Sequence, residues 1–224
     1  MPNHVTTIIE VSNPAVLEAL HGPDGEVDFN QVVPQPEELR KLAAEFKVFD
    51  NPGEAKVFQQ LQEEANAKLP EAFRTDGQTY ALTREQHEAL VAKYGAALDW
   101  YHWRTQSWNT KWNAYDISHE PNYTVTDGAA IQFNTAWATP MPVLKKLSEM
   151  FPEETLTVHF ADEDLGSNYG SFTLLNGSII VQTMSEAANE WAGKTFEDKE
   201  VKDFCARIKY GQTYAELGWD DDDE

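Results

Sequence analysis

Val5-Thr6-Thr7-Ile8-Ile9-Glu10-Val11 is the stretch from which the fold is read. Six of its seven residues are β-branched, the composition of a pleated, well-covered strand. Asn13-Pro14 follows, with Asn13 as N-cap and Pro14 at the first helical position of a short helix running to about Leu20. His21-Gly22-Pro23-Asp24-Gly25 is a turn by composition, and Val27–Val33 reads as a second strand stopped by Pro34. The opening is therefore strand–helix–strand.

The period changes after Pro36. Leu39, Leu42, Ala43 and Phe46 recur at helical spacing, and Val57, Phe58, Leu61, Ala65 and Leu69 form a second apolar stripe ending at Pro70. Asp76-Gly77 marks a loop, and Thr83-Arg84-Glu85-Gln86 is a capping box opening a third helix. Residues 36–104 are thus expected to be a helical insertion. Alternation then resumes. Lys111–Asp116 and Ala130–Trp137 read as strands, Thr139-Pro140 opens a helix with Val143, Leu144, Leu147 and Met150 on its apolar face, and Leu156–Phe160 alternates strictly. After an Asp162–Gly166 turn, Tyr169–Leu175 and Ile179–Val181 form a hairpin around Asn176-Gly177. Thr195 is expected to cap a last helix, with Asp198 at its third position and its end near Tyr210. This order predicts an α+β fold, a ferredoxin-like split βαβ sheet with helices on one face, a helical insertion, and extra C-terminal strands and a helix. Residues 1–35 with 105–218 would be its core and 219–224 an acidic, disordered tail.

Charge limits function. The 224 residues hold 17 Lys and Arg against 38 Asp and Glu, a formal charge of −21. Too few cations are present for a large phosphate-binding surface, and an anionic bilayer would repel the chain. Direct nucleic-acid binding and membrane association are not expected. The N-terminus lacks a signal-peptide pattern, no run approaches the length of a membrane span, and the single Cys205 allows no intrachain disulfide, so a cytosolic protein is expected. Cys205 lies on the Val201-Phe204-Cys205-Ile208 stripe, which favours burial over a nucleophilic role.

Several blocks, in order along the chain, resemble the YubB-like proteins of bacteriophages and plasmids. They are Met1-Pro2-Asn3, Asp28-Phe29-Asn30 with Pro34-Gln35-Pro36-Glu37-Glu38-Leu39, Trp108–Asp116, Phe133–Trp137 with Pro140-Met141-Pro142, Leu147–Pro152 and Tyr169-Gly170. The resemblance implies a ferredoxin-like domain with a helical insertion, carried on a mobile element. It brings no agreed activity and no catalytic residues.

Two regions stand out as candidate sites. Residues 151–224 carry 17 acidic and 5 basic residues, a net −12. Glu153, Glu154, Asp162, Glu163, Asp164, Glu186, Glu190, Glu197, Asp198, Glu200 and Asp203 could face a host protein with a basic nucleic-acid-binding surface. In its sharpest form this is nucleic-acid mimicry against a host defence system, a step that rests on analogy with mobile elements. The ordinary role of such charge is solubility.

The second region, residues 100–137, holds five of the seven tryptophans. Trp103, Trp108, Lys111, Asn113 and Asp116 are a candidate small-ligand or nucleotide pocket. Against this, a tryptophan buries about 150–250 Å² and is more often core. No P-loop, G-x-G-x-x-G, G-x-S-x-G or paired-histidine metal motif occurs, so no catalytic residue, metal or cofactor is assigned. Asp162-Glu163-Asp164 lacks the spaced ligands of a calcium loop, and His102 near Asp99 is one of six scattered histidines.

Overall fold

In the computed structural model, residues 2–42, 46–71, 79–95, 97–185, 190–191 and 193–219 are described. They form two compact units, one of residues 1–34 with 108–224 and one of residues 35–107. Along the chain come β1 (His4–Val11), α1 (Ala15–Glu18), α2 (Glu37–Lys41), β2 (Phe46–Phe49), α3 (Pro52–Ala67), β3 (Tyr80–Thr83), α4 (Arg84–Tyr94) and α5 (Trp100–Ser107). Then follow β4 (Tyr115–Ser118), β5 (Ala129–Ala136), α6 (Met141–Met150), β6 (Thr155–Asp162), β7 (Tyr169–Leu175), β8 (Ser178–Gln182), β9 (Met184–Ser185), β10 (Glu190–Trp191) and α7 (Lys199–Tyr210).

In the larger unit six strands lie in the order β4-β5-β1-β6-β7-β8, each antiparallel to its neighbours. The quartet β4-β5-β1-β6 is the split βαβ arrangement, with β1 between the two strands joined by α6. The fold is α+β and ferredoxin-like, as the element order predicts. The second strand of the motif is β4, however, and not the expected Val27–Val33. There Asp28 Oδ1 accepts hydrogen bonds from Asn30 N (3.0 Å) and Asn30 Nδ2 (2.7 Å), and the chain turns through a single 3-10 turn over Phe29–Gln31. A local side-chain bond outcompetes the ladder that the β-branched composition suggested.

β1 is buried along nearly its whole length because both faces of the sheet are covered, which corrects the one-sided expectation. Val5, Thr7, Ile9 and Val11 face α6, where Val143, Leu144 and Leu147 are fully buried and Thr7 meets Thr139. Ile8 lies on the other face with Ala161 and Tyr169, against Val201, Phe204, Cys205 and Ile208 of α7. Register explains the pairing: Ile8 sits opposite His159 and Thr6 opposite Ala161, and facing residues share a side. α7 starts after Asp198, three residues later than expected. Thr195 and Asp198 instead close a turn, with Thr195 N donating to Asp198 Oδ2 at 2.8 Å.

The smaller unit departs from a purely helical reading. α2 ends at Lys41, and Phe46–Phe49, expected partly as helix, pairs in parallel with Tyr80–Thr83 across the α3 crossover. Aromatic and β-branched residues in Phe46-Lys47-Val48-Phe49 suit a strand better than the 3–4 spacing suggested. The Thr83 capping box is present as expected. The Asp76-Gly77 loop and residues 220–224 of the expected 219–224 tail lie outside the described residues, whereas Trp219 packs edge-on to Tyr210.

The α7 face carries a buried ionisable pair. Glu10 and His159 have side-chain exposures of 1% and 5%, and His159 Nε2 is 2.9 Å from Glu10 Oε1. Glu10 also accepts from Val125 N (3.0 Å), Thr126 N (2.7 Å) and Thr126 Oγ1 (2.5 Å), so it straps the β4–β5 loop across the sheet. Tyr123 of that loop stands edge-on to His159 and Phe204. Gly128 ends the loop so close to β1 that a Cβ would lie 2.2 Å from Val11 O.

Gly128→Ala forces backbone apart and is expected to cost roughly 2 kcal/mol, read as a lower midpoint in urea unfolding. Burial pushes the His159 imidazole below its usual value, and Glu10 pulls it only partly back. The unfolded chain then takes up a proton below about pH 6.5 that the folded chain refuses, so this contribution to stability is complete above that pH and declines as pH falls. Thermal melts from pH 8 to 5 should show that decline, and His159→Gln should flatten it. An unchanged slope would mean His159 is not its source.

Candidate functional site

The start of β1, the end of β5, the β6–β7 loop and the last turn of α7 meet at one end of the six-stranded sheet. Antiparallel pairing puts them there: His4 lies opposite Ala136, and Val5 opposite Asp162. His4 Nδ1 and Tyr115 Oη are 2.7 Å apart, their rings edge to face. Burial pushes the Tyr115 phenol up to about 12, with Asp116 and Glu163 adding to the effect. At neutral pH Tyr115 therefore keeps its proton, and its contact with Nδ1 fixes the orientation of the His4 ring. Beside this pair, Thr6 Oγ1 donates to Asn134 Oδ1 (2.7 Å) and Asn134 Nδ2 to Asp116 Oδ2 (3.1 Å).

Charge is concentrated here. His4 N donates to Glu163 Oε1 (3.1 Å), and Lys209 Nζ donates to His4 O (2.8 Å). Burial lowers the Lys209 ammonium, and Glu163, Asp162 and Asp116 all act on it in the opposite sense. Three carboxylates thus share the surroundings of one half-buried lysine. The Lys111 ammonium lies 5.0 Å from the Trp112 ring centre and 5.7 Å from that of Trp137, a cation–π arrangement. Asp116 and Trp137 both have positive φ, 50° and 75°, an uncommon geometry for side chains of their kind.

Of the five pocket residues read from the sequence, Trp108 and Asn113 are committed to packing and hydrogen bonds within the larger unit. Trp108 is fully buried, donates its Nε1–H to Val33 O at 2.9 Å and stands edge-on to Phe29. Asn113 is a structural clamp: its Oδ1 accepts from Phe29 N (2.9 Å) and its Nδ2 donates to Asp28 Oδ1 (2.7 Å). Burial raises Asp28, yet hydrogen bonds from Asn30, Asn113 and Gln31 outweigh it and hold the carboxyl below its usual value. Trp103 belongs to the smaller unit, on α5, where it is buried. Lys111 and Asp116 remain at the sheet end.

The acidic residues divide as well. Asp162 is buried, with its Oδ1 capping Asp164 N at 3.0 Å, so it is no surface contact. Glu163, Asp164, Glu197, Asp198 and Glu200 are exposed. Gly166 packs against Phe196, which brings the β6–β7 loop beside the approach to α7, though Glu200 pairs with Lys194. Half-buried Asp203 accepts from Tyr214 N at 2.9 Å. Glu153 and Glu154 lie at the opposite end of β6, with Glu154 accepting from Asn13 Nδ2. At about 3.3 Å per residue, the length of β6 separates the two groups by roughly 23 Å. Glu186 and the Glu190 side chain lie outside the described residues.

Neither His4–Tyr115 nor Glu10–His159 was found from the sequence, because their members are 111 and 149 residues apart and match no motif. Cys205 is buried, and burial pushes its thiol up to about 12, which leaves it inert as a nucleophile. His102 Nδ1 meets Asp99 Oδ2 at 2.6 Å while its N–H caps on Asp99 Oδ1, a helix-start contact. Among the described residues no group of three or more His, Cys, Asp or Glu is arranged to hold a metal, and no helix is long and apolar enough to cross a membrane.

A crystal structure of protein api92 from Yersinia pseudotuberculosis is similar at a TM-score of 0.41 and 9% identity, covering 81% of this chain and 97% of that one. No curated protein matches. Residues 107–204, which run from the end of α5 into α7, match the family described as the ferredoxin-like domain in Api92-like protein.

Proposed function

We propose that this chain is a non-enzymatic accessory protein of a phage or plasmid that binds a host protein with a basic surface. Exposed carboxylates at the ends of its sheet make the contact, in the bacterial cytosol. The observation that carries the reading is the exposure of Asp116, Glu163, Asp164 and Glu197 about the end of the sheet, where Glu163 accepts from His4 N. In a chain of net charge −21, one end of a rigid sheet so arranged would steer a cationic partner into contact. The sequence resemblance to YubB-like proteins supports the mobile-element setting.

Mimicry of nucleic acid in a host defence complex is the sharper form of the proposal. Duplex DNA carries one charge per about 1.7 Å of axis, whereas exposed Glu153 stands at one end of β6 and exposed Glu163 and Asp164 at the other. That spacing favours a partner gripped at two acidic points over one that reads a continuous row. The ligand-pocket reading has less support, since Trp108 and Asn113 are committed to the core.

The immobilised protein, exposed to host lysate at about 50 mM salt, is expected to retain basic nucleic-acid-binding proteins. About 500 mM salt or added duplex DNA should release them. Glu163→Lys combined with Asp164→Lys should lower that retention about tenfold while leaving the far-UV spectrum unchanged. Retention insensitive to salt, or unaffected by the double reversal, would remove the basis of the proposal.

A further inference from the structure

β8 is an edge strand of unusual character. Ser178–Gln182 is exposed at every residue, including Ile179 at 38%, Ile180 at 51% and Val181 at 52%. It ends the six-stranded order, and among the described residues no strand pairs with its outer side. Proteins normally blunt such an edge with charge, proline, a bulge or a covering element. Ser178–Thr183 contains no charge and no proline. One bulge is present, since the register skips Ile180 between Leu174↔Ile179 and Thr173↔Val181. The opposite edge differs: β4 is four residues long, irregularly paired, and carries Asp116 at positive φ.

The charges around β8 indicate what would cover it. β6 and β8 are both antiparallel to β7, so they run in the same direction. The Ser178 end of β8 therefore lies toward Glu153 and Glu154, and its Gln182 end toward Glu163 and Asp164. Glu149, ion-paired with Lys146 at 3.0 Å and so no part of the acidic flank, packs against Gly177 in the turn before β8. The strand is thus a neutral, apolar edge with carboxylates beyond both ends, two strand spacings or about 10 Å to the side.

We propose that β8 is a docking edge for an extended segment of the cationic partner, which adds as a seventh strand. Its β-branched residues would meet Ile179, Ile180 and Val181, and lysines or arginines toward its two ends would face the two acidic groups. Main-chain hydrogen bonds supply affinity in this mode and the flanking charges set position. A second copy of the chain is disfavoured, because it would bring acidic groups toward acidic groups. This inference rests on the proposed function and names how the partner is held.

The test uses a fluorescent peptide of alternating threonine and valine between paired lysines, titrated into the full chain and followed by anisotropy. Binding is expected, with about tenfold loss when alternate peptide nitrogens are methylated, since that removes main-chain donors and leaves charge intact. Val181→Lys, a change at an exposed position, should cause a similar loss with an unaltered far-UV spectrum. Equal binding of the methylated peptide, or indifference to Val181→Lys, would overturn the inference. So would a dimer in sedimentation that Val181→Lys dissociates, because β8 would then pair with itself. If Val181→Lys spares the retention of host proteins while the Glu163/Asp164 reversal abolishes it, the docking edge fails and the proposed function stands.

Discussion

A carboxylate buried in the middle of the sheet organises the larger unit. Glu10 sits on the central strand β1, with its charge met by two backbone N–H groups, a hydroxyl and the His159 imidazole. Four donors are what makes burial of such a group tolerable, because an unpaired carboxylate in that position would cost several kcal/mol. The donors come from β6 and from the β4–β5 loop. Satisfying Glu10 therefore ties together segments more than a hundred residues apart. His159 completes the arrangement at some expense, since its Nδ1 is buried without a hydrogen-bond partner.

That contact also explains why the sheet is covered twice. With the β4–β5 loop held across β1, Tyr123 offers its ring to Phe204, and Asn122 Nδ2 donates to the carbonyls of Ile208 and Lys209 at the end of α7. The loop and α7 thus close over the face of the sheet opposite α6. Lys209, at the far end of the helix, then reaches His4 O and enters the acidic surroundings of the sheet end. Core packing and the candidate site are in this sense one construction, because the helix that seals the core also carries the site's cation.

What could be read from the sequence follows from the range of the forces involved. Strictly alternating or β-branched runs gave β1, β6 and β7, and the Thr83 capping box gave α4, because those signals lie within a few residues. Val27–Val33 misled because its composition favours a strand while the Asp28 side chain pulls its own backbone into a turn. Phe46 misled in the other direction, since its spacing from Leu42 suits a helix but Phe46–Phe49 finds a parallel partner 34 residues away. The aromatic block was legible as a place where tryptophans collect, and not as a division between Trp108 in the core and Trp137 at 39% exposure. Only the path of the chain around Phe29 and Val33 decides that.

The distribution of charge has the same origin. In sequence the acidic residues of the last third look like one block, but an antiparallel sheet sends the two ends of a strand to opposite ends of the domain. Glu153 and Glu163 are ten residues apart in the chain and a whole strand apart in space. Asp162, between them in composition, is withdrawn into the interior as a cap. The acidic residues that flank β6 thereby stand as two separate groups with a neutral edge strand running between their levels. Repulsion within a single block of carboxylates would oppose folding, and separating them by the length of β6, several Debye radii in bulk salt, relieves it. The separation that makes the charge compatible with a compact fold also gives a cationic partner two fixed points, and with them a direction along the sheet.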